Sequence, residues 1–144
     1  MIQILSLILI NLIWVVYSLT EGVREGHFGH FENLRRRKCS TDINKLFKIQ
    51  RLIVLLSLSL ISLWLFNLTS MFFVMTGLFL MFSYLHNGGY HCTRNKLDSE
   101  NYKLGFNDGE TLGFFSTFRS YRERIIFFMS GIALQLFLYI FIIN

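Results

Sequence analysis

LIVLLSLSLISLWLFNLTSMFFVMTGLFLMFSYLHNGGYHCT, from Leu52 to Thr93, contains no charged side chain. One bilayer crossing takes about 20 predominantly apolar residues, so a stretch of this length crosses twice. Its polar break at Asn67-Leu68-Thr69-Ser70 divides it into spans over about 52–66 and 71–85, a tight helical hairpin. Two more charge-free stretches, Met1–Thr20 and Ile125–Asn144, give spans at about 2–20 and 125–143. The expected fold is therefore all-α, a four-helix integral membrane bundle forming a single transmembrane domain over residues 1–144.

Composition agrees. Hydrophobic residues make up 53% of the chain, with 16 Phe and no Pro, and the mean hydropathy is +0.46. Four spans leave about 60 residues for loops, too few for a second folded domain. The 14 Lys and Arg fall in two segments, loops 21–51 and 86–124. Loops rich in Lys and Arg stay on the cytoplasmic side, which places both termini outside (N-out/C-out). Topology thus accounts for the net charge of +5, and nucleic acid is not an expected partner. The expected location is a bacterial inner membrane, with an organellar or phage-encoded origin left open. Thr20-Glu21-Gly22 leads straight into charge with no small-residue cleavage site, so the first span reads as retained. Cys39 and Cys92 lie in the cytoplasmic loops and read as free thiols.

Span 1 is expected to continue as a cytoplasmic helix through Glu21–Lys38, across Gly22, Gly26 and Gly29. Ser40-Thr41-Asp42 offers caps for a helix from about Ile43, whose amphipathic start, Ile43–Arg51, leads into span 2 as a second cytoplasmic extension. Span 3 is expected to stop at His86-Asn87-Gly88-Gly89, since paired glycines suit a helix end. Ser120 to Glu123 has the form of a capping box for the last helix. Asn67-Leu68-Thr69 matches a glycosylation acceptor, but it lies too close to the membrane to be a good one. Phe114, Phe115, Phe118 and Tyr121 read as an aromatic belt on the inner side, with Trp64 and Phe66 on the outer.

Each span has one uncharged polar residue ten or eleven positions from its inner border: Asn11, Ser62, Thr76 and Gln135. At about 1.5 Å per residue these share a level near the bilayer midplane. They read either as a polar ring around a pathway or, the preferred reading, as interhelical hydrogen bonds with Asn11 pairing to Gln135. No charge lies at that level, which argues against a proton relay or an ion pump. Gly22 and Gly26 have GxxxG spacing, with Ser18 one turn earlier, a stripe that admits close approach of another backbone. Which helix approaches is open at this stage.

The inner mouth gathers the remaining chemistry. Glu21 and Glu25 share a helix face, His27 and His30 follow, and His86 and His91 lie beyond span 3. Carboxylates and imidazoles in that mixture would suit a divalent metal such as zinc, iron or manganese, and no other cofactor is expected. No Glu-x-x-His or His-Glu-x-x-His spacing supports the metal, and the alternative is interface residues with Glu21 or Glu25 paired to Arg24 or to an arginine of the second loop. Arg35-Arg36-Arg37-Lys38 reads as a site for anionic lipid headgroups. Gly88-Gly89 with Arg94 offers an anion-binding nest. A Cys92–His91 nucleophile pair fails because adjacent side chains do not align, and Asp98, Glu100, Asp108 and Glu110 lack calcium-loop spacing. The expected function is a non-enzymatic module that self-associates or serves as a subunit of a membrane complex, as a pore or sensor component. The alternative is a metal-dependent membrane hydrolase, with Glu21 or Glu25 as ligand or base and a metal-bound water as nucleophile.

Overall fold

The computed structural model describes residues 2–34, 41–100 and 121–140, and within them the side chains of 3–30, 45–100 and 121–140. Four helices follow in order: α1 (Ile2–Leu34), α2 (Thr41–Leu65), α3 (Leu68–Leu97) and α4 (Tyr121–Leu138). There is no strand among the described residues. The expectations for Arg35, Arg36, Arg37 and Lys38, for Cys39 and Ser40, for Asp108 and Glu110, for Phe114, Phe115 and Phe118, and for Ser120 lie outside the described residues.

Without proline to interrupt them, the helices run long. α1 has 33 residues and passes unbroken through its three glycines, about 50 Å at 1.5 Å per residue. α2 begins at Thr41, two residues ahead of the expected start. The hairpin turn is where the polar break placed it. Asn67 is the N-cap of α3, its Oδ1 accepting from the Ser70 N–H at 2.8 Å.

α3 does not stop at Gly88-Gly89. It continues to Leu97, where the Asp98 N–H closes the last turn on the Arg94 carbonyl at 2.8 Å. A glycine costs a helix about 1 kcal/mol relative to alanine, and here packing outweighs that cost. A Cβ on Gly89 would stand 2.5 Å from the Leu19 carbonyl oxygen, so the bare backbone is what lets α1 lie against α3.

α3 is the central helix, packed on α1, α2 and α4, whereas α1 and α2 touch each other less. α1 and α3 run parallel. Trp14 donates to the Leu78 carbonyl at 2.6 Å, a Cβ on Gly22 would meet the His86 oxygen at 2.0 Å, and one on Gly26 would meet Thr93 at 2.9 Å. α4 runs antiparallel to α3, with Phe73 stacked on Phe137 and Tyr84 beside Phe128. Gly77 and Gly131 meet where these two cross, a Cβ on Gly131 standing 2.7 Å from the Gly77 oxygen.

The core is a strip of Leu7, Ile10, Trp14, Leu55, Leu58, Val74, Leu78, Phe82 and Leu138. Trp14 holds it together, stacked on Tyr17 and tilted against Phe82. Outside, the surface is apolar: Leu5, Ile8, Leu12 and Val16 of α1, Ile53, Leu56, Leu60 and Trp64 of α2, and Ile126, Met129 and Leu136 of α4 are all exposed. Inside are Ser18, Glu21, Arg51, Ser62, Asn87, Arg94 and Arg124, all buried. A continuous apolar exterior of this extent is not what water solvates well. Among the described residues three segments, Gln3–His30, Lys45–Leu65 and Leu68–Leu97, are long and apolar enough to cross a membrane, which fits a membrane protein. The described part of α4 has 18 residues and carries Arg122, Glu123 and Arg124 near its start, and it is not one of the three.

Candidate functional site

Close contact of α1 and α3 decides what lies beside it. On α1, Glu21 and Glu25 occupy successive turns on one flank of the glycine seam, the flank facing α2. Arg51 of α2 inserts between them. Its Nε donates to Glu21 Oε1 at 2.8 Å and its Nη2 donates to Glu25 Oε1. His86 of α3 completes the group, with Nε2 at 3.0 Å from Glu25 Oε2 and 3.2 Å from Arg51 Nη2. The Phe82 ring backs the cluster, stacked on His86 at 5.0 Å with the Arg51 guanidinium 5.0 Å from its centroid. Glu21 is 2% exposed, Arg51 6% and His86 6%.

Two carboxylates against one guanidinium leave a net charge of −1 when His86 is neutral and zero when it is protonated. Its Nε2 cannot serve both neighbours at once. With a proton there it donates to Glu25; without one it accepts from Arg51 Nη2. Several buried polar atoms nearby along the helices have no hydrogen-bond partner: Glu21 Oε2, the Tyr17 hydroxyl one turn earlier, Ser18 Oγ, Ser83 Oγ and both side-chain ends of Asn87. Each such atom costs about 1–3 kcal/mol unless it is met by water or another polar group.

Of the six His and Glu positions singled out from sequence, Glu21, Glu25 and His86 come together, around a guanidinium. His91 is buried on α3, edge-on to Tyr90. His27 is exposed and His30 half-buried, on α1 turns beyond the cluster. Among the described residues no group of three or more His, Cys, Asp and Glu could hold a metal ion. Arg51 is the residue that sequence reasoning missed. Its place at the border of span 2 reads as topology, although that border is also the depth of Glu21, and a cation and an anion at one depth on adjoining helices are a pair signal. Arg24, one of the two expected kinds of partner beside an arginine of the second loop, instead donates to Gln50 at 2.8 Å and lies over Phe47.

The anion nest at Gly88-Gly89 is not formed, because both residues are helical and their N–H groups point along the helix. Arg94 is buried, with Nη1 3.5 Å from where a Cβ on Gly29 would stand. The small-residue stripe is occupied within the chain: Gly22, Gly26 and Gly29 all face α3.

At the expected midplane, Asn11 Nδ2 donates to Gln135 Oε1 at 3.3 Å and to the Leu7 carbonyl at 2.9 Å. Gln135 Nε2 reaches the Phe73 and Val74 carbonyls at 3.4 and 3.3 Å, in space left by Gly77. Ser62 is buried with its hydroxyl unpartnered, and Thr76 is exposed, so the four residues do not converge. The amide pair lies in a groove of about 390 Å³ between α1 and α4, bordered by Leu7, Ile8, Leu136 and Tyr139.

No protein-family model, curated protein or solved structure matches this chain.

Proposed function

We propose that the chain is a four-span integral membrane protein, N-out/C-out with its basic loops in the cytoplasm, acting as a non-enzymatic subunit of a membrane complex. Three helices of sufficient length and the charge-free Ile125–Asn144 stretch, whose described part packs antiparallel on α3, support four spans. The observation that carries the subunit reading is how the polar groups are used. Glu21, Glu25 and Arg51 are engaged with one another inside the bundle, and the apolar exterior opens at the α1–α4 groove onto the Asn11–Gln135 pair. A lipid-facing cleft with amides at its base suits a transmembrane helix of a partner or of a second copy. Self-association would use this face, because the glycine stripe is already filled by α3.

The test is cross-linking in native membranes from cysteines placed at Ile8 and Leu136, followed by mass measurement in mild detergent. A defined adduct and a stable complex are expected. A strict monomer with no adduct overturns the subunit reading. The second reading, the metal-dependent enzyme, would need Glu21, Glu25 and His86 to give up Arg51, which a metal would have to displace before these side chains could act as ligands. Stoichiometric zinc, iron or manganese in protein purified without chelator, lost in Glu21→Ala, would establish it.

A further inference from the structure

A second groove lies at the end of the bundle that holds the ionic cluster, on the opposite flank of the α1–α3 seam from Arg51. It encloses about 330 Å³ and is lined by Val23 and His27 of α1 and by Cys92, Thr93, Lys96 and Leu97 of α3. Helical geometry accounts for it. Val23 and His27 are one turn apart on the α1 flank facing away from Glu21 and Glu25, as are Cys92 and Lys96 on α3. Gly26 lets the two walls come together, because a side chain there would run into Thr93, with its Cβ 2.9 Å away.

We infer that this groove binds the phosphate group of an anionic membrane lipid. Its polar lining consists of hydrogen-bond donors from both helices: the Lys96 ammonium, the His27 ring and the Thr93 hydroxyl. Among the described residues no carboxylate lines it. Charge-assisted donors converging on one cleft are what phosphate oxygens accept from, and Val23 and Leu97 give the adjoining glycerol and acyl carbons an apolar wall. Depth places the groove just past the outer edge of the headgroup layer, within reach of a lipid phosphate. His27 lies seven residues beyond Thr20, about 10 Å along the axis and less along the membrane normal in a tilted helix. The headgroup layer on each side of the hydrocarbon core is about 5–8 Å thick. The long Lys96 side chain adds reach to that level. A free phosphate would gain nothing from the apolar walls, and the N–H groups around the groove are committed to α1 and α3.

The inference rests on the proposed orientation, so the test reads both. Cys92 is an exposed free thiol in the groove wall, and Cys39→Ser leaves it the only cysteine. In this background, alkylation by a neutral maleimide is followed in vesicles of phosphatidylcholine with and without phosphatidylglycerol. Phosphatidylglycerol is expected to slow Cys92 alkylation about tenfold, the protection given by a site occupied about nine-tenths of the time. Lys96→Gln and His27→Gln should each remove most of that protection, whereas Lys48→Gln, an equal charge loss on the exposed side of α2, should leave it. Equal rates in both vesicles, or protection that survives both groove variants, overturns the inference. Protection by inorganic phosphate in phosphatidylcholine vesicles overturns the lipid source in favour of a soluble ligand. In intact cells, labelling of Cys92 by an impermeant maleimide from the outer side would overturn the orientation itself, whereas failure of protection alone leaves the orientation standing.

Discussion

Adding one methyl group to Gly22 tests the α1–α3 seam more sharply than any charge change. A Cβ there would lie 2.0 Å from the His86 oxygen and 2.9 Å from both the His86 carbonyl carbon and the Tyr90 nitrogen, all of them backbone. Ordinary contact begins near 3.4 Å, so the helices must part by roughly 1.4 Å (3.4 less 2.0), because no side chain can rotate out of the way. Overpacking of this kind costs about 1–3 kcal/mol. Alanine returns about 1 kcal/mol of helix propensity. Separating the helices also lengthens the bonds of Arg51 and His86 to α1, and hydrogen bonds to charged groups are worth about 1.5–3 kcal/mol each. A net loss of about 2–3 kcal/mol follows for Gly22→Ala. Gly29→Ala is the internal control: its Cβ would meet Arg94 Nη1 at 3.5 Å and the Tyr90 hydroxyl at 3.6 Å, ordinary contacts, so it should be neutral or slightly stabilising. Gly89→Ala, at 2.5 Å from the Leu19 oxygen, and Gly26→Ala, at 2.9 Å from a side-chain atom, should fall between, in that order. The assay is detergent-titrated unfolding followed by Trp14 fluorescence in a Trp64→Phe background, since Trp64 is 85% exposed and adds only background signal. If Gly22→Ala unfolds with the wild type, or together with Gly29→Ala, the seam is not where the distances place it.

Three further outcomes are expected. Arg51→Met should cost about 3–5 kcal/mol because it strands buried Glu21, and most of that should return in the triple variant Arg51→Met, Glu21→Gln, Glu25→Gln; the same unfolding titration measures it. Asn67→Ala removes the α3 cap and should cost about 1 kcal/mol, with faster amide exchange at Ser70 as the local readout. Asn11→Leu should cost only about 0.6 kcal/mol, the average for a hydrogen bond between membrane helices, and a double-mutant cycle with Gln135→Leu should show that the two losses are not additive.

How much was legible in the sequence differs from element to element. The Asn67 turn was legible because one short polar break in a long apolar run can mean little else, and its cap uses the residue that marks it. The Asn11–Gln135 pair was legible because equal distance along antiparallel helices is a geometric constraint that counting residues captures. The end of α3 was misread for the converse reason. Gly88-Gly89 is a stop signal by local propensity alone, and only the arrival of α1, with the Leu19 oxygen and Val23 nitrogen against Gly89, turns the same residues into a contact surface. The stripe at Gly22 and Gly26 is visible in the sequence, but its partner is not, because local propensity puts Gly89, Tyr90 and Thr93 in a loop. Arg51 was overlooked because positive charge at a span border already had an explanation in topology.

The ionic cluster and the seam are one structure. A carboxylate of α1 and an imidazole of α3 can share a guanidinium from α2 only if the α1 and α3 backbones are nearly in contact, since Glu21 and His86 have short reach compared with Arg51. Gly22 supplies that contact at the His86 carbonyl itself, so the residue next to Glu21 on α1 touches the residue that carries the imidazole on α3. Further along, the parallel helices are held apart by Trp14, which fills the gap and donates to Leu78. The pair therefore narrows from an aromatic spacer to bare glycine toward the charged end. The buried charges follow from that taper: the narrow end excludes lipid and bulk water from Glu21, which leaves the carboxylate only the guanidinium that α2 brings to it, and fixes α2 to the other two helices at a point where few other contacts hold α1 and α2 together.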